Sequence, residues 1–180
     1  NTLAGIGLAD WDDGPLLSAR FWNPGGMTMF QGKLVVADTG NQRIRIIDQD
    51  PSNARVDTLA GVAPPADSSA IPPDLSAEGG FLNGDATVAR FDTPVDVAAT
   101  ATGTVLYIAD RNNHCVRKYD QDTNAVTTAV GVCLQPGQDD GDAATARLEY
   151  PTSLALDPSG TTLFVGQLNG TVRQVDLVSG

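Results

Sequence analysis

Three ungapped copies of one pattern constrain this chain more than any other feature. They read DGPLLSARFWNP (residues 13–24), NGDATVARFDTP (83–94) and DGDAATARLEYP (140–151), and share [DN]-G-x4-A-R-[FL]-x2-P. A short apolar piece ending in glycine precedes each: TLAG at 2–5, TLAG at 58–61 and TAVG at 128–131. An apolar run and a turn follow each: LVVADTGNQRIRIID, LYIADRNNHCVRKYD and LFVGQLNGTVRQVD. Repetition at this scale means that each unit is one supersecondary module that buries its apolar face on its neighbours. The period is 56 residues from Gly5 to Gly61 and 70 from Gly61 to Gly131, and the excess is an insertion at 62–81.

Each unit reads as four short strands. Strand a follows the proline, strand b is the apolar run, strand c alternates apolar and polar residues, and strand d ends in the TLAG-like glycine. Composition agrees: 20 of the 22 acidic residues are Asp, with 19 Gly, 11 Pro and only two Lys, a set suited to turns rather than helices. The Asp or Asn that opens each copy is read as the N-cap of a short helical turn. Four-stranded antiparallel units repeated radially are propeller blades, so the expected fold is all-β with three blades at 6–61, 62–131 and 132–180. Residues 1–5 supply a strand that completes a blade of the same or a neighbouring chain.

The motifs ADTGNQRIRIID, ADRNNHCVRKYD and TLAG…DG…ARF…P resemble the NHL-repeat family of β-propellers over nearly the whole chain. The third copy departs from the pattern, with Gly166-Gln167 in place of Ala-Asp and a b–c turn one residue shorter. The resemblance implies a ring of usually six blades, used mainly for binding. A few members are enzymes and some bind RNA.

The strand order d, abcd, abcd, abc leaves an unpaired edge, which is a template for another strand. Three arrangements satisfy it. The segment is half of a six-bladed chain, or two copies exchange d strands into a ring, or each copy donates its strand onward into a filament. The net charge of −11 opposes binding to a nucleic-acid backbone. No apolar run is long enough to cross a membrane as a helix, and a single His excludes a multi-His metal site within this chain.

The d–a connections and b–c turns emerge at the same end of a blade. That end gathers the acidic binding candidates Asp12, Asp13, Asp38, Asp85, Asp110, Asp139, Asp140 and Asp142, with Asp67, Asp74 and Glu78 in the insertion. No cofactor is expected. If one is bound, Ca²⁺ at Asp139, Asp140 and Asp142 is the candidate, although the spacing matches no EF-hand. Asp38 and Asp110 are read as braces of their turns, with Asn41 and Asn113 taking left-handed dihedrals. Arg20, Arg90 and Arg147 are each expected to pair with a neighbouring blade's Asp or with a carbonyl, and Arg45, Arg117 and Arg173 to make contacts between blades. His114 is read as structural.

Cys115 and Cys133 flank one c–d hairpin. Its pairing would set Cys115 opposite Val130, and a bulge near Gly131 would bring the two thiols within bonding reach. Asn169-Gly170-Thr171 is an N-glycosylation sequon and equally an Asn-Gly hairpin turn. These features, a start at Asn1 and a Pro-, Ser- and Ala-rich insertion point to an extracellular or cell-surface protein. The expected function is a non-enzymatic scaffold for protein partners, either copies of itself or further blades. The alternative is part of a metal-dependent lyase or hydrolase propeller, or a ligand-binding ectodomain.

Overall fold

The computed structural model describes residues 1–62 and 79–178. Asp67, Asp74 and Glu78 of the insertion lie outside the described residues.

Three antiparallel sheets follow one another along the chain. The first contains β1 (Gly14–Pro15), β2 (Pro24–Phe30), β3 (Lys33–Asp38), β4 (Arg43–Asp48) and β5 (Arg55–Ala60), in the order β1-β5-β4-β3-β2. The second contains β6 (Gly84–Asp85), β7 (Pro94–Ala99), β8 (Val105–Asp110), β9 (Cys115–Asp120) and β10 (Ala125–Val130), in the order β6-β10-β9-β8-β7. The third contains β11 (Pro151–Leu156), β12 (Thr162–Gln167) and β13 (Val172–Asp176), in that order. Among the described residues, strands a to c are thus present in all three blades and strand d in two. The two-residue strands β1 and β6 extend the outer edge of a blade beyond its d strand.

The sheets stack face to face, which explains the composition of their middle strands. Val35, Val36 and Ala37 of β3, and Leu106, Ile108 and Ala109 of β8, are buried in succession because both faces of the sheet are covered. Phe30, Val35, Ile44, Phe91, Val97 and Ile108 belong to the core between the first two sheets. Tyr107, Val116, Leu148, Leu163 and Val165 belong to the core between the second and third. On the other face of the first sheet, Val36, Ile47 and Val56 are covered by the connector residues Ala4, Leu16, Ala19 and Phe21.

Two local expectations are corrected. The β3–β4 and β8–β9 links are 3₁₀ turns at Thr39–Asn41 and Arg111–Asn113. The left-handed residues are Gln42 (φ 55°) and His114 (φ 57°), not Asn41 and Asn113. The asparagine amides instead reach back from within the turn to Asp38 and Asp110, each at 2.8 Å, and the chain reverses one residue later.

Residues 2–5 form no strand, because a strand needs a ladder partner and none of the described residues supplies one. The segment is nevertheless seated as the end of a d strand would be. The Gly5 amide donates to the Leu16 carbonyl (2.8 Å), as Gly61 does to Ala86 (2.9 Å) and Gly131 to Ala143 (2.8 Å). The Ile6 amide donates to the Ala19 carbonyl (3.2 Å), as Val132 does to Ala146 (3.1 Å). All three glycines have positive φ (92°, 109° and 92°), a conformation that favours glycine at each recurrence.

Candidate functional site

The repeated polar residues converge on one arrangement per blade, a clasp that ties strand c to the connector laid across the blade's outer edge. In the first blade Asp38 Oδ1 accepts the Trp22 amide (2.8 Å), while Oδ2 accepts Asn41 Nδ2 (2.8 Å) and Arg45 Nη1 (2.7 Å). Arg45 also donates to the carbonyls of Arg20 and Asp12 (2.9 Å each) and to Asp13 Oδ1 through Nε (3.0 Å) and Nη2 (2.5 Å). Asp13 then reaches strand d: its Oδ2 accepts both the amide and the hydroxyl of Thr58 at 3.0 Å. Phe21 lies under the guanidinium, whose carbon is 5.0 Å from the ring centroid.

The second blade repeats this with different atoms. Asp110 accepts the Asp92 amide, Asn113 Nδ2 and Arg117 Nη1, each at 2.8 Å. Arg117 donates to the carbonyls of Arg90 (3.0 Å) and Leu82 (2.8 Å) and to Asn83 Oδ1 (2.6 Å). Asn83 Nδ2 meets the Thr128 hydroxyl at 3.3 Å. Asp38, Arg45, Asp110 and Arg117 are all fully buried. Burial pushes the Asp110 carboxyl up to about 6, against the opposing pull of Arg117, Asn113 and the Asp92 amide. Burial likewise raises Asp38, opposed by Asn41, the Trp22 amide and Arg45.

In the third blade the clasp is half made. Gln167 replaces the aspartate: its Oε1 accepts the Glu149 amide (2.6 Å) and its Nε2 donates to Thr171 Oγ1 (2.7 Å), so nothing on β12 pairs with the arginine. Arg173 still donates to the carbonyls of Arg147 (3.1 Å) and Asp139 (3.3 Å) and to Asp140 Oδ1 (2.6 Å). No d strand lies beside β13 among the described residues, so no threonine meets Asp140. The Asp140 side chain is 93% exposed, and its Oδ2 has no hydrogen-bond partner among the described residues. A groove of about 370 Å³ runs along this edge, lined by Val130, Asp140, Ala146, Leu148, Arg173 and Val175.

The structure separates the acidic residues that the sequence grouped on one face. Asp38 and Asp110 are not available there, because burial places them inside the clasps. Asp13 is committed to Arg45 and Thr58. Asp12 lies 3.3 Å from Arg20 and Asp139 lies 3.6 Å from Arg147. Asp85 and Asp142, rather than the Asp or Asn that opens each motif, cap the short helical turns. Asp85 accepts the Thr87 amide (2.9 Å), and Asp142 accepts the amides of Ala144 (3.1 Å) and Thr145 (2.8 Å). Both carboxyls are held below the usual carboxylate range, first by the side-chain hydroxyls of Thr87 and Thr145. Among the described residues no three His, Cys, Asp or Glu converge on a metal position, and Asp139, Asp140 and Asp142 serve three separate contacts.

Arg20 pairs with Asp10 (2.6 Å) and Asp12 on its own connector rather than with a neighbouring blade, because the connector folds back on itself. Arg147 does the same with Asp139. Gln42 and His114, the left-handed residues, cross between blades, as do Thr39, whose hydroxyl donates to the Pro94 carbonyl (2.7 Å), and Asp96, whose Oδ2 accepts the Leu154 amide (2.7 Å). Gln42 Oε1 accepts the Thr93 amide (2.5 Å), and His114 Nδ1 accepts the Tyr150 amide (3.2 Å). Their repetition at one position, just after the Asn, was the available sequence signal. Cys115 and Cys133 are joined in a disulfide with Cα atoms 5.0 Å apart. The bulge in this hairpin falls between Thr128 and Val130, next to Gly131. Asn169 lies exposed in the β12–β13 turn, where its Oδ1 accepts the amide (3.1 Å) and the hydroxyl (2.7 Å) of Thr171.

The stacked antiparallel sheets and their recurring clasp define a stretch of β-propeller. The NHL repeat family model matches residues 21–47 and 91–119, which span strands a to c of the first two blades. The chain therefore belongs with the NHL-repeat propellers. The third blade, where Gln167 stands in place of the clasp aspartate, lies outside the matched residues. The chain is 26% identical over 149 residues to human "NHL repeat-containing protein 2", covering 81% of this chain and 18% of that protein. It is 33% identical over 165 residues to "Protein SUPPRESSOR OF QUENCHING 1, chloroplastic" of Arabidopsis thaliana, covering 91% of this chain and 15% of that protein. The chain thus spans less than a fifth of the length of these relatives. Among solved structures, it matches a putative phosphatase from Bacteroides thetaiotaomicron with a TM-score of 0.66 at 19% identity, covering 89% of this chain and 36% of that one. An auxiliary nutrient binding protein from the same organism matches with a TM-score of 0.64 at 20% identity, covering 81% and 36%. At such identities these likenesses show the fold alone.

Proposed function

We propose that this chain is a non-enzymatic propeller scaffold that binds protein partners, copies of itself included, in an extracellular or cell-surface setting. The observation that carries the reading is the contrast between polar groups engaged inside the blades and one backbone edge left open. Buried Asp–Arg pairs hold the first two blades together, the one His accepts a backbone amide, and both Cys are bonded to each other. Among the described residues the outer edge of β13, with exposed Asp140 beside it, has no strand partner, and such an edge suits another polypeptide, whether a further blade of a longer chain or a second copy. The net charge of −11 disfavours nucleic acid as that partner. No helix among the described residues is long and apolar enough to cross a membrane. The disulfide suits an oxidising compartment, and the exposed Asn169 sequon is open to glycosylation there.

Light scattering on the purified chain over a wide concentration range tests the reading. The expected outcome is a mass that rises above the 18.7 kDa of one chain as concentration increases. A constant monomer mass at every concentration overturns self-assembly. Secretion from a eukaryotic host tests the setting: a mass decrease on deglycosylation that Asn169→Gln abolishes is expected, and an unmodified secreted chain overturns the glycan at this site.

A further inference from the structure

We propose that Asn83-Gly84 is a self-modification site, at which spontaneous deamidation converts Asn83 to the aspartate that completes the clasp of the second blade.

The first blade shows what the second lacks. At the place of Asn83 the first and third blades carry Asp13 and Asp140, each followed by glycine. Asp13 Oδ1 accepts both Nε (3.0 Å) and Nη2 (2.5 Å) of Arg45. Asn83 Oδ1 accepts Nη2 of Arg117 (2.6 Å), whereas Arg117 Nε is buried with no hydrogen-bond partner among the described residues. A buried donor left unpaired costs stability. Asp13 Oδ2 accepts the amide and the hydroxyl of Thr58. The side-chain nitrogen of Asn83 is a donor, so it meets the Thr128 hydroxyl but cannot accept the Thr128 amide. A carboxylate at position 83 supplies acceptors for both Arg117 Nε and the Thr128 amide. One guanidinium accommodates two carboxylates in this arrangement, since Arg45 pairs with Asp13 and Asp38 together.

The local geometry favours the reaction. Asn83 and Gly84 are exposed, so water reaches both. Gly84 belongs to β6, a two-residue strand at the outer edge of its sheet, where local opening frees its amide. A β-carbon built on Gly84 would meet only Val88 Cγ2, at 3.8 Å, so nothing crowds the approach. The Gly84 nitrogen loses its proton to hydroxide and attacks Asn83 Cγ. The Cγ–Nδ2 bond breaks, the nitrogen leaves as ammonia, and a succinimide ring remains. Arg117 Nη2, at 2.6 Å from Oδ1, stabilises the oxyanion that forms at Cγ. It also polarises the same carbonyl in the ring, which directs water to Cγ rather than to the backbone carbonyl. The bond from Cγ to the Gly84 nitrogen then breaks, the ordinary peptide link is restored, and a carboxylate is left. Water is consumed and ammonium released, with no other reactant. Opening at the backbone carbonyl instead gives isoaspartate, which adds a carbon to the main chain and disrupts β6.

Asn169-Gly170 is the same dipeptide without these aids. Its Gly170 amide is held by the Gln167 carbonyl (3.1 Å). Asn169 Oδ1 accepts the amide (3.1 Å) and hydroxyl (2.7 Å) of Thr171, both neutral, and the Glu149 carboxylate lies 3.2 Å from Nδ2. No cation stabilises an oxyanion there among the described residues.

The test ages the purified chain in mildly alkaline buffer, folded and in concentrated urea, and follows both sites by peptide mapping that separates aspartate from isoaspartate. In the folded chain Asn83 is expected to convert ahead of Asn169 and to give mainly aspartate. In urea the two sites are expected to convert at similar rates, with isoaspartate in excess at both. The variant Asn83→Asp is expected to raise the folding equilibrium constant about tenfold at neutral pH, as a charge-assisted hydrogen bond to a buried donor does. Asn83 that stays intact in the folded chain, or that gives the isoaspartate excess seen in urea, overturns the modification site. An Asn83→Asp variant no more stable than the original chain overturns completion of the clasp.

Discussion

The second and third blades carry the same arginine at the same strand position in two environments. Arg117 is fully buried and paired at 2.8 Å with an aspartate that is equally buried. Arg173 retains 16% of its side-chain exposure and is paired with Asp140, which is almost wholly in water. The residue on strand b differs between them. In the second blade a buried Asp110 answers the guanidinium. In the third, neutral Gln167 keeps the structural half of the task, accepting the amide of Glu149 as Asp110 accepts that of Asp92. A buried carboxylate is tolerated only with its full set of donors, and the third blade supplies fewer.

This contrast can be broken by experiment, most forcefully at the arginines. Arg117→Ala leaves Asp110 buried without its cation and is expected to cost about 3–5 kcal/mol in urea unfolding. Arg173→Ala removes a pair whose carboxylate is almost wholly in water and is expected to cost about 1 kcal/mol or less. Equal losses would show that the two blades are not different in kind. Next in size is Cys133→Ser, which opens a loop with a sequence separation of 18 and is expected to cost about 2–4 kcal/mol in the same measurement.

The pH dependence of stability sharpens the comparison. Asp110 is raised in the fold to about 6 from its ordinary 3.8, so the folded state takes up a proton before the unfolded state does. Its contribution to stability is therefore fully present below about 3.8 and lost as pH rises through about 6. Relative to Asp110→Asn, the unmodified chain is expected to gain stability between pH 7 and 5, and parallel curves would refute this. The smallest effect is local. Burial lowers the basicity of His114, against the opposing pull of Glu149 and Asp92, and neutral Nδ1 is what accepts the Tyr150 amide. That contribution is present above the ordinary value of 6.5 and lost as pH falls through the lowered one. Hydrogen exchange at the Tyr150 amide, corrected for its intrinsic pH dependence, is expected to lose protection on acidification. His114→Gln, which installs the side chain found at residue 42, is expected to abolish that dependence.

Much of this fold is legible because repetition exposes it. The a, b and c strands, the antiparallel order and the family follow from three aligned copies. The clasp was only half legible. Asp38 and Arg45 are seven residues apart, as are Asp110 and Arg117, and the recurrence of this spacing marks a pair. An aspartate at the end of an apolar run nevertheless reads as the start of a surface turn, because burial of a strand end depends on the connector that folds over its blade. The disulfide could not be fixed from spacing either, since the bulge beside Thr128 leaves no mark in composition. The fate of residues 2–5 depends on which sheet they meet, and only three-dimensional placement shows that they rest on the first connector.

The Cys115–Cys133 bond has a mechanical consequence. It bridges the start of β9 to the link beyond β10, across the hairpin that those strands form. If the chain is pulled from its two ends, force bypasses everything between the two sulfurs. On the order of 60 Å of extended chain is then withheld from stretching until a reductant is added. The middle blade is expected to yield a shorter length increment than its composition implies, with its c–d hairpin acting as an inextensible link between the blades on either side.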